Sequence, residues 1–141
     1  KEKKLMKRFL KEVKKTDASL AVYGEPQIRK ALQMGAVDTL LLSENLRKYR
    51  IKMRCTSCNY VEERTISEDD LEDFTPPNCT KCDNSTSMDI VEKIDLIDEL
   101  SDLTEKTGGK VEIISLGSEE GDSLYSAFSG IAGILRYPLD L

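Results

Sequence analysis

A layered α/β fold interrupted by a small metal-binding insertion is what this sequence predicts, and three observations predict it. Segments with helical periodicity alternate along the chain with short apolar or strand-like runs, the pattern of helices packed on both faces of a central sheet. Midway, Cys55-Thr-Ser-Cys58 and Cys79-Thr-Lys-Cys82 repeat a single spacing and hold all four cysteines of the 141 residues. Around these pairs, over residues 49–92, large apolar side chains become too few for a unit of roughly forty residues to build a core unaided.

In order, residues 1–15 place Leu5, Met6, Phe9, Leu10 and Val13 at helical spacing with lysines over the other face, and Thr16 and Asp17 end the helix. Those lysines read as a solvated face or as a surface toward RNA. Ser19 to Tyr23 is a short apolar run meeting Gly24, as a buried strand would be. Pro26 then opens a second helix at its first turn, where a missing amide costs nothing; Ile28, Ala31 and Leu32 form its inner face and Gly35 its C-cap. Val37 to Leu42 is too short for a helix and nearly unbroken in apolarity, which predicts a second, parallel strand. From Tyr49 the pattern alternates, with Tyr49, Ile51 and Met53 on one side and Arg50, Lys52 and Arg54 on the other, and the strand runs into Cys55.

Beyond Cys58, residues 60–66 predict another strand. Ser67 with Asp70 resembles a capping box for one helical turn, and Thr75-Pro76-Pro77-Asn78 is a stiff loop delivering Cys79. Met88 and Ile90 predict a closing strand. Ile94, Ile97, Leu100 and Leu103 then predict a helix ended by Gly108-Gly109, residues 110–116 a strand, and Leu124 with Phe128 a final helix. The glycine-punctuated stretch 129–137 lacks the Gly-Lys-Ser of a phosphate loop. Its small residues suit a helix end packed closely on the sheet, with a further strand expected to follow that helix. The expected division is therefore residues 1–48 with 93–141 as the α/β/α sandwich and residues 49–92 as an inserted minidomain.

Two residues between cysteines let both thiolates of a turn face one ion, and two such turns close a tetrahedral site. Asn59 and Asp83, one after each pair, tolerate the left-handed backbone that aims the following amides at the thiolates. Disulfides are the competing reading; the doubled spacing and the lack of an apolar signal segment favour a metal in a reducing compartment. Zinc suits the twenty residues between the pairs better than iron, the other metal that a tetrahedral sulfur site takes. With Cys55, Cys58, Cys79 and Cys82 all bound, one structural zinc per chain would have a closed shell.

The net charge of −5 hides a division: residues 1–54 carry +9, residues 55–100 carry −10 and the remainder −4. A basic first third could face nucleic acid, whereas an insertion this acidic would be repelled by phosphate. No apolar run approaches the length of a membrane span. A cytoplasmic protein is expected, without a membrane partner. The chain begins at Lys1, within a helix already under way, as an excised part of a longer protein would. It has no histidine and no nucleophile motif, and the metal shell would be closed, which leaves an enzyme reading only its abundant carboxylates, and these cluster like a solvated face.

Taken together, Tyr23-Gly24-Glu25, Lys30 to Val37, Ser43-Glu44-Asn45-Leu46 and Phe128-Ser129-Gly130-Ile131-Ala132-Gly133-Ile134-Leu135-Arg136-Tyr137 resemble the carboxyl-terminal domain of archaeal class-I peptide chain release factors across essentially the whole chain. The resemblance implies a sandwich like that of kink-turn-binding ribosomal proteins and a cytoplasmic role in translation termination on the ribosome. It also implies a surface that docks a translational GTPase of the elongation-factor type and then the recycling ABC ATPase. The cysteine insertion matches the archaeal branch. The family's Gly-Gly-Gln hydrolytic loop is missing, since Gly108-Gly109 precedes Lys110, and so are its stop-codon motifs. The resemblance therefore implies a non-enzymatic domain, with peptidyl-tRNA hydrolysis residing in another one. Docking transfers onto Tyr23, Gly24, Phe128, Gly130 and Gly133. A Pelota-like ribosome-rescue domain is the first alternative and a kink-turn RNA-binding protein the second; on the main reading no specific nucleic-acid site is expected here.

Overall fold

The computed structural model describes residues 2–82 and 87–141, and its described residues form a mixed α/β fold with five helices and two sheets. The chain divides into two compact units, Lys1–Leu46 with Leu100–Leu141, and Arg47–Glu99.

In the first unit, α1 (Glu2–Val13) buries Met6 and Phe9 and leaves its lysines outside, as the spacing predicts. A short edge strand, β1 (Ala21–Tyr23), leads to α2 (Glu25–Gln33), which ends where the N–H of Gly35 donates to the Leu32 carbonyl and that of Ala36 to the Ala31 carbonyl. Those two bonds are a Schellman cap and require Gly35 at φ 66°. Strand β2 (Val37–Ser43) follows. A longer helix, α4 (Leu96–Lys106), runs into this unit and closes on Gly108 and Gly109 with the same pair of bonds, to Glu105 and Thr104. Then come β6 (Lys110–Ile114), α5 (Glu119–Ala127) and β7 (Ile131–Leu135).

The sheet order is β1-β7-β2-β6, with β2 parallel to β6 and β7 antiparallel to both of its neighbours. One expectation changes here. Residues 19–23 are expected as a buried strand, but β1 is a sheet edge and Tyr23 is 46% exposed. The strand expected after the last helix is present as β7, and it takes residues 131–135 of the glycine-rich stretch into the interior of the sheet, fully buried. The reason lies in side-chain volume. Gly133 pairs with both Val22 and Leu40, and a Cβ built on it would sit 3.1 Å from Ile28 Cδ1 of α2. Its neighbours Ala132 and Ile134 face the opposite way, into a core with Met6, Phe9, Leu41, Ile114 and Leu124. Helices α1 and α5 thus cover one face of the sheet, and α2 packs on the other.

Arg136, just past β7, ties the carboxyl ends of two helices together. Its guanidinium donates to the Gly35 carbonyl at 3.3 Å and to the Thr107 carbonyl at 2.8 Å, the oxygens left over where α2 and α4 stop. Arg136→Ala is expected to lower stability by about 1 kcal/mol, since two exposed charge-assisted bonds at helix ends are lost. Denaturant melts of the two proteins would measure it.

The second unit is built on the sheet β4-β3-β5, with β3 (Lys48–Arg54) between β4 (Val61–Ser67) and β5 (Asp89–Asp95), both antiparallel to it. Alternation held along β3: Ile51 and Met53 are buried while Arg50, Lys52 and Arg54 are not. Ser67 caps the one-turn helix α3 (Glu68–Leu71) by accepting from the Asp70 amide at 3.2 Å. Ile94, expected on the following helix, lies in β5 opposite Arg50. The helix starts two residues later because the Asp95 carboxylate accepts the Ile97 N–H at 2.8 Å. Among the described residues, no helix is long and apolar enough to cross a membrane.

Candidate metal centre and aromatic edge

The end of β3 delivers Cys55, and the chain reverses at once. The Asn59 N–H donates to the Cys55 carbonyl at 3.0 Å and the Cys55 N–H to the Tyr60 carbonyl at 2.9 Å, with Asn59 in the expected left-handed conformation at φ 62°. This reversal turns the amides of Ser57 and Cys58 toward the Cys55 sulfur and that of Tyr60 toward Cys58. The second pair is delivered by the proline loop, anchored where the Met88 N–H donates to the Pro77 carbonyl at 2.9 Å. There the Lys81 N–H donates to Cys79 Sγ at 3.4 Å. Asp83, the residue expected to complete this second turn, lies outside the described residues.

All four sulfurs lie within 4.8 Å of one another. Cys55 and Cys82 approach to 3.7 Å, and Cys58 and Cys79 to 3.6 Å. A tetrahedral zinc with bonds of about 2.3 Å would hold its sulfurs about 3.8 Å apart, so donor type, number and spacing all fit such an ion. The electrostatics fit as well. The backbone N–H of Cys58, helped by that of Ser57, brings the Cys55 thiol down to about 7. Burial, then the neighbouring thiols of Cys58, Cys55 and Cys79, pushes Cys82 up to about 12. At Cys58 the Tyr60 N–H pulls downward, but desolvation of the sulfur with the Cys79 and Cys55 thiols outweighs it and leaves that thiol raised. One thiolate is poised to form readily, and full ionisation of the set needs a cation at its centre. Around the cysteines the buried apolar set is small: Ile51, Met53 and Met88, fringed by Tyr60, Ile66, Leu71 and Phe74.

In the first unit the residues singled out for docking separate into two kinds. Tyr23 and Phe128 share an aromatic edge: their rings meet edge-on at 5.1 Å, and Phe128 meets buried Phe9 in the same manner at 5.0 Å. Phe128 does not lie within the last helix but caps it, its N–H donating to the Leu124 carbonyl. Gly24, at φ 84°, starts α2 with open space where a Cβ would be. Gly130 and Gly133, by contrast, are buried. Gly130 turns at φ 77° and links the Leu124 carbonyl to Ser43 through its own amide and carbonyl. These two shape the sheet, while the Tyr23 ring is half exposed. Sequence reasoning passed over Arg136 as a structural tie, because both carbonyls it binds are remote in sequence; the basic residue after a strand was the available signal.

The eRF1 domain 3 family model matches residues 1–139. A curated relative, peptide chain release factor subunit 1 of Methanocaldococcus jannaschii, is 46% identical over 143 residues, which cover 99% of this chain and 34% of the relative. The chain thus spans about a third of that relative's length. A solved C-terminal domain of a peptide chain release factor from Methanosarcina mazei superposes with a TM-score of 0.83 at 38% identity, covering 96% of this chain and 82% of that one. Dom34 of S. cerevisiae, a translation termination-like factor, is similar at 25% identity with a TM-score of 0.61, over 99% of this chain and 28% of its own.

Proposed function

This chain belongs to the eRF1 domain 3 family, and from that premise we propose that it is the carboxyl-terminal docking domain of an archaeal translation termination factor. As domain 3 it is not the catalytic domain of such a factor. The observation that carries the proposal is the match of a release-factor domain family over residues 1–139, joined by 46% identity to an archaeal factor across 99% of the chain. In this reading the first unit is an α/β/α sandwich of the kink-turn ribosomal-protein kind that holds out a surface for a translational GTPase and, later, for a recycling ABC ATPase on the ribosome. The second unit is a zinc-ribbon-like minidomain. Peptide release directed by a stop codon belongs to the full-length protein, whose other domains would carry hydrolysis. A Pelota-like rescue domain is the second reading, supported by the Dom34 similarity, though at 25% identity against 46%.

Cys55, Cys58, Cys79 and Cys82 would hold the zinc. With four thiolates bound the ion has no open position, so what it supplies is a cross-link between two turns and not a reactive water. The chain's own part is to aim the Ser57, Cys58, Tyr60 and Lys81 amides at the sulfurs, which offsets part of their negative charge.

Docking is tested by competition. Excess chain added to a reconstituted termination reaction with limiting GTPase is expected to slow peptide release by the intact factor while releasing none itself. Tyr23→Ala should weaken that inhibition severalfold with the fold unchanged, because the ring is half outside and covers Phe128 from without. Phe128→Ala is the poorer probe, since it also removes a ring packed on Phe9. Unimpaired release in the presence of excess chain would refute the docking role.

A further inference from the structure

Helix α1 presents one face to the core and the other entirely to solvent. Lys3, Lys4, Lys7, Arg8 and Lys11 on the helix and Lys14 just past its end are all exposed, and among the described residues none of the six is in an ion pair, although Lys15 and the Leu20 N–H, helped by nearby Arg8, hold the Glu12 carboxyl below the usual range. The helix carries two carboxylates, and both are engaged elsewhere. Glu12 holds Lys15 at 2.7 Å and accepts the Leu20 N–H, while Glu2 accepts the Ser115 hydroxyl at 3.3 Å. At 100° per residue the six cations occupy an arc of about 140°. Lys110, at the start of β6, extends the arc: it lines a groove of about 350 Å³ together with Lys4 and Arg8. The acids bordering that groove, Asp38 and Glu112, are both engaged, Asp38 by the Thr39 hydroxyl at 2.9 Å.

We propose that this cationic face, α1 with Lys110, docks the phosphate backbone of ribosomal RNA. The inference rests on the reading of the chain as part of a ribosome-bound factor, and three features of the face select its ligand. The apolar side of α1 is consumed by Met6 and Phe9 in the core, so the helix has no face to lay into a lipid surface. Five of the six exposed cations are lysines, mobile point charges that bind phosphate without fixing its orientation. No aromatic side chain accompanies them on the exposed arc, which leaves bases nothing to stack on. Contact is therefore with the backbone, indifferent to sequence and steep in salt.

The test uses a fluorescein-labelled RNA duplex and the whole chain, read by anisotropy over a salt series. Lys4→Glu with Lys11→Glu is expected to weaken binding at least tenfold and to reduce the slope of log affinity against log salt by about 2, as the loss of two phosphate contacts requires. Lys30→Glu with Lys106→Glu, which changes net charge equally at other exposed positions, should stay within about twofold of wild type. Lys4→Gln with Lys11→Gln should fall between, and it serves as the deciding pair if circular dichroism shows the glutamate pair has lost helix. Equal weakening by both glutamate pairs, no weakening by the α1 pairs, or tighter binding of labelled polyglutamate than of the duplex would overturn the proposal. Because the probe is free RNA, these outcomes are independent of the termination assay; inhibition there with no RNA effect here sinks this face alone.

Discussion

Removing the metal is expected to unfold residues 47–99 and to leave the sheet of the first unit protected from hydrogen exchange. A strong chelator, or Cys55→Ser, should bring the amides of β3, β4 and β5 to rapid exchange while those of β2 and β7 stay slow. The asymmetry follows from what each unit has inside it. The first unit buries Met6, Phe9, Leu41, Ile114, Leu124, Ala132 and Ile134 in one cluster, with further apolar side chains against it. Apart from two of the cysteines, the apolar residues buried in the second are Ile51, Met53, Met88 and Leu96. Four side chains at about 1.5–3 kcal/mol each do not offset the ordering of a unit this long. Zinc in small peptides contributes on the order of 10 kcal/mol, which decides the balance. Protons act in the same direction as the chelator. The ligands bind as thiolates, so metal-linked stability is greatest at high pH and falls as pH falls, Cys82 with its thiol near 12 retaining a proton most strongly. Metal analysis of the purified chain should find one zinc. A finding of none, or loss of protection in both units together, would contradict the assignment.

Local chemistry made much of this legible in advance. The ends of α2 and α4 could be read because Gly35 and Gly108 supply the left-handed residue that a Schellman cap needs, and Ser67 because a cap acts over three residues. The first cysteine turn was legible for the same reason: two-residue spacing and Asn59 specify it without help from elsewhere. What escaped depends on partners far along the chain. A run such as Ile131–Leu135 shows that a segment is buried on both sides, but not that it slots between β1 and β2, since strand order follows from crossovers that leave no mark on the pattern. Ile94 fits the three-residue recurrence of the next helix, and only pairing with Arg50 keeps it in a strand. Tyr23 and Phe128 could be named from sequence, but their different exposures arise from Phe9, more than a hundred residues from Phe128 in the chain.

Gly121→Ala is expected to destabilise the first unit by about 3 kcal/mol or more, although helix propensity alone favours the alanine. Gly121 sits in the first turn of α5, where exchanging glycine for alanine would ordinarily gain up to about 1 kcal/mol. Here a Cβ would overlap the Ser115 carbonyl oxygen and lie 3.0 Å from the Ser118 hydroxyl that caps the helix. Neither side can easily give. Ser115 follows Ile114, whose carbonyl accepts the Glu44 N–H at 2.9 Å, and precedes Leu116, whose N–H donates to the Glu44 carboxylate at 2.9 Å. Gly121 in turn donates its N–H to Ser118, and Asp122 holds the Gly117 N–H across the same loop. Relief therefore requires α5 to lift from the sheet, loosening Leu124 from the core and with it the carbonyl that both Phe128 and Gly130 use. Overpacking of this kind typically costs 1–3 kcal/mol, and more where the obstacle is backbone, so the clash outweighs the propensity gain. Denaturant melts give the sign directly. The aromatic edge should suffer with it, since Phe128 is positioned by the end of α5: competition in the termination assay is expected to weaken in Gly121→Ala even though the substituted residue is distant in sequence from Tyr23. A stability equal to or above that of the wild type would mean that the Ser115 loop yields and that the close approach of α5 to the end of β6 is not a constraint on the fold.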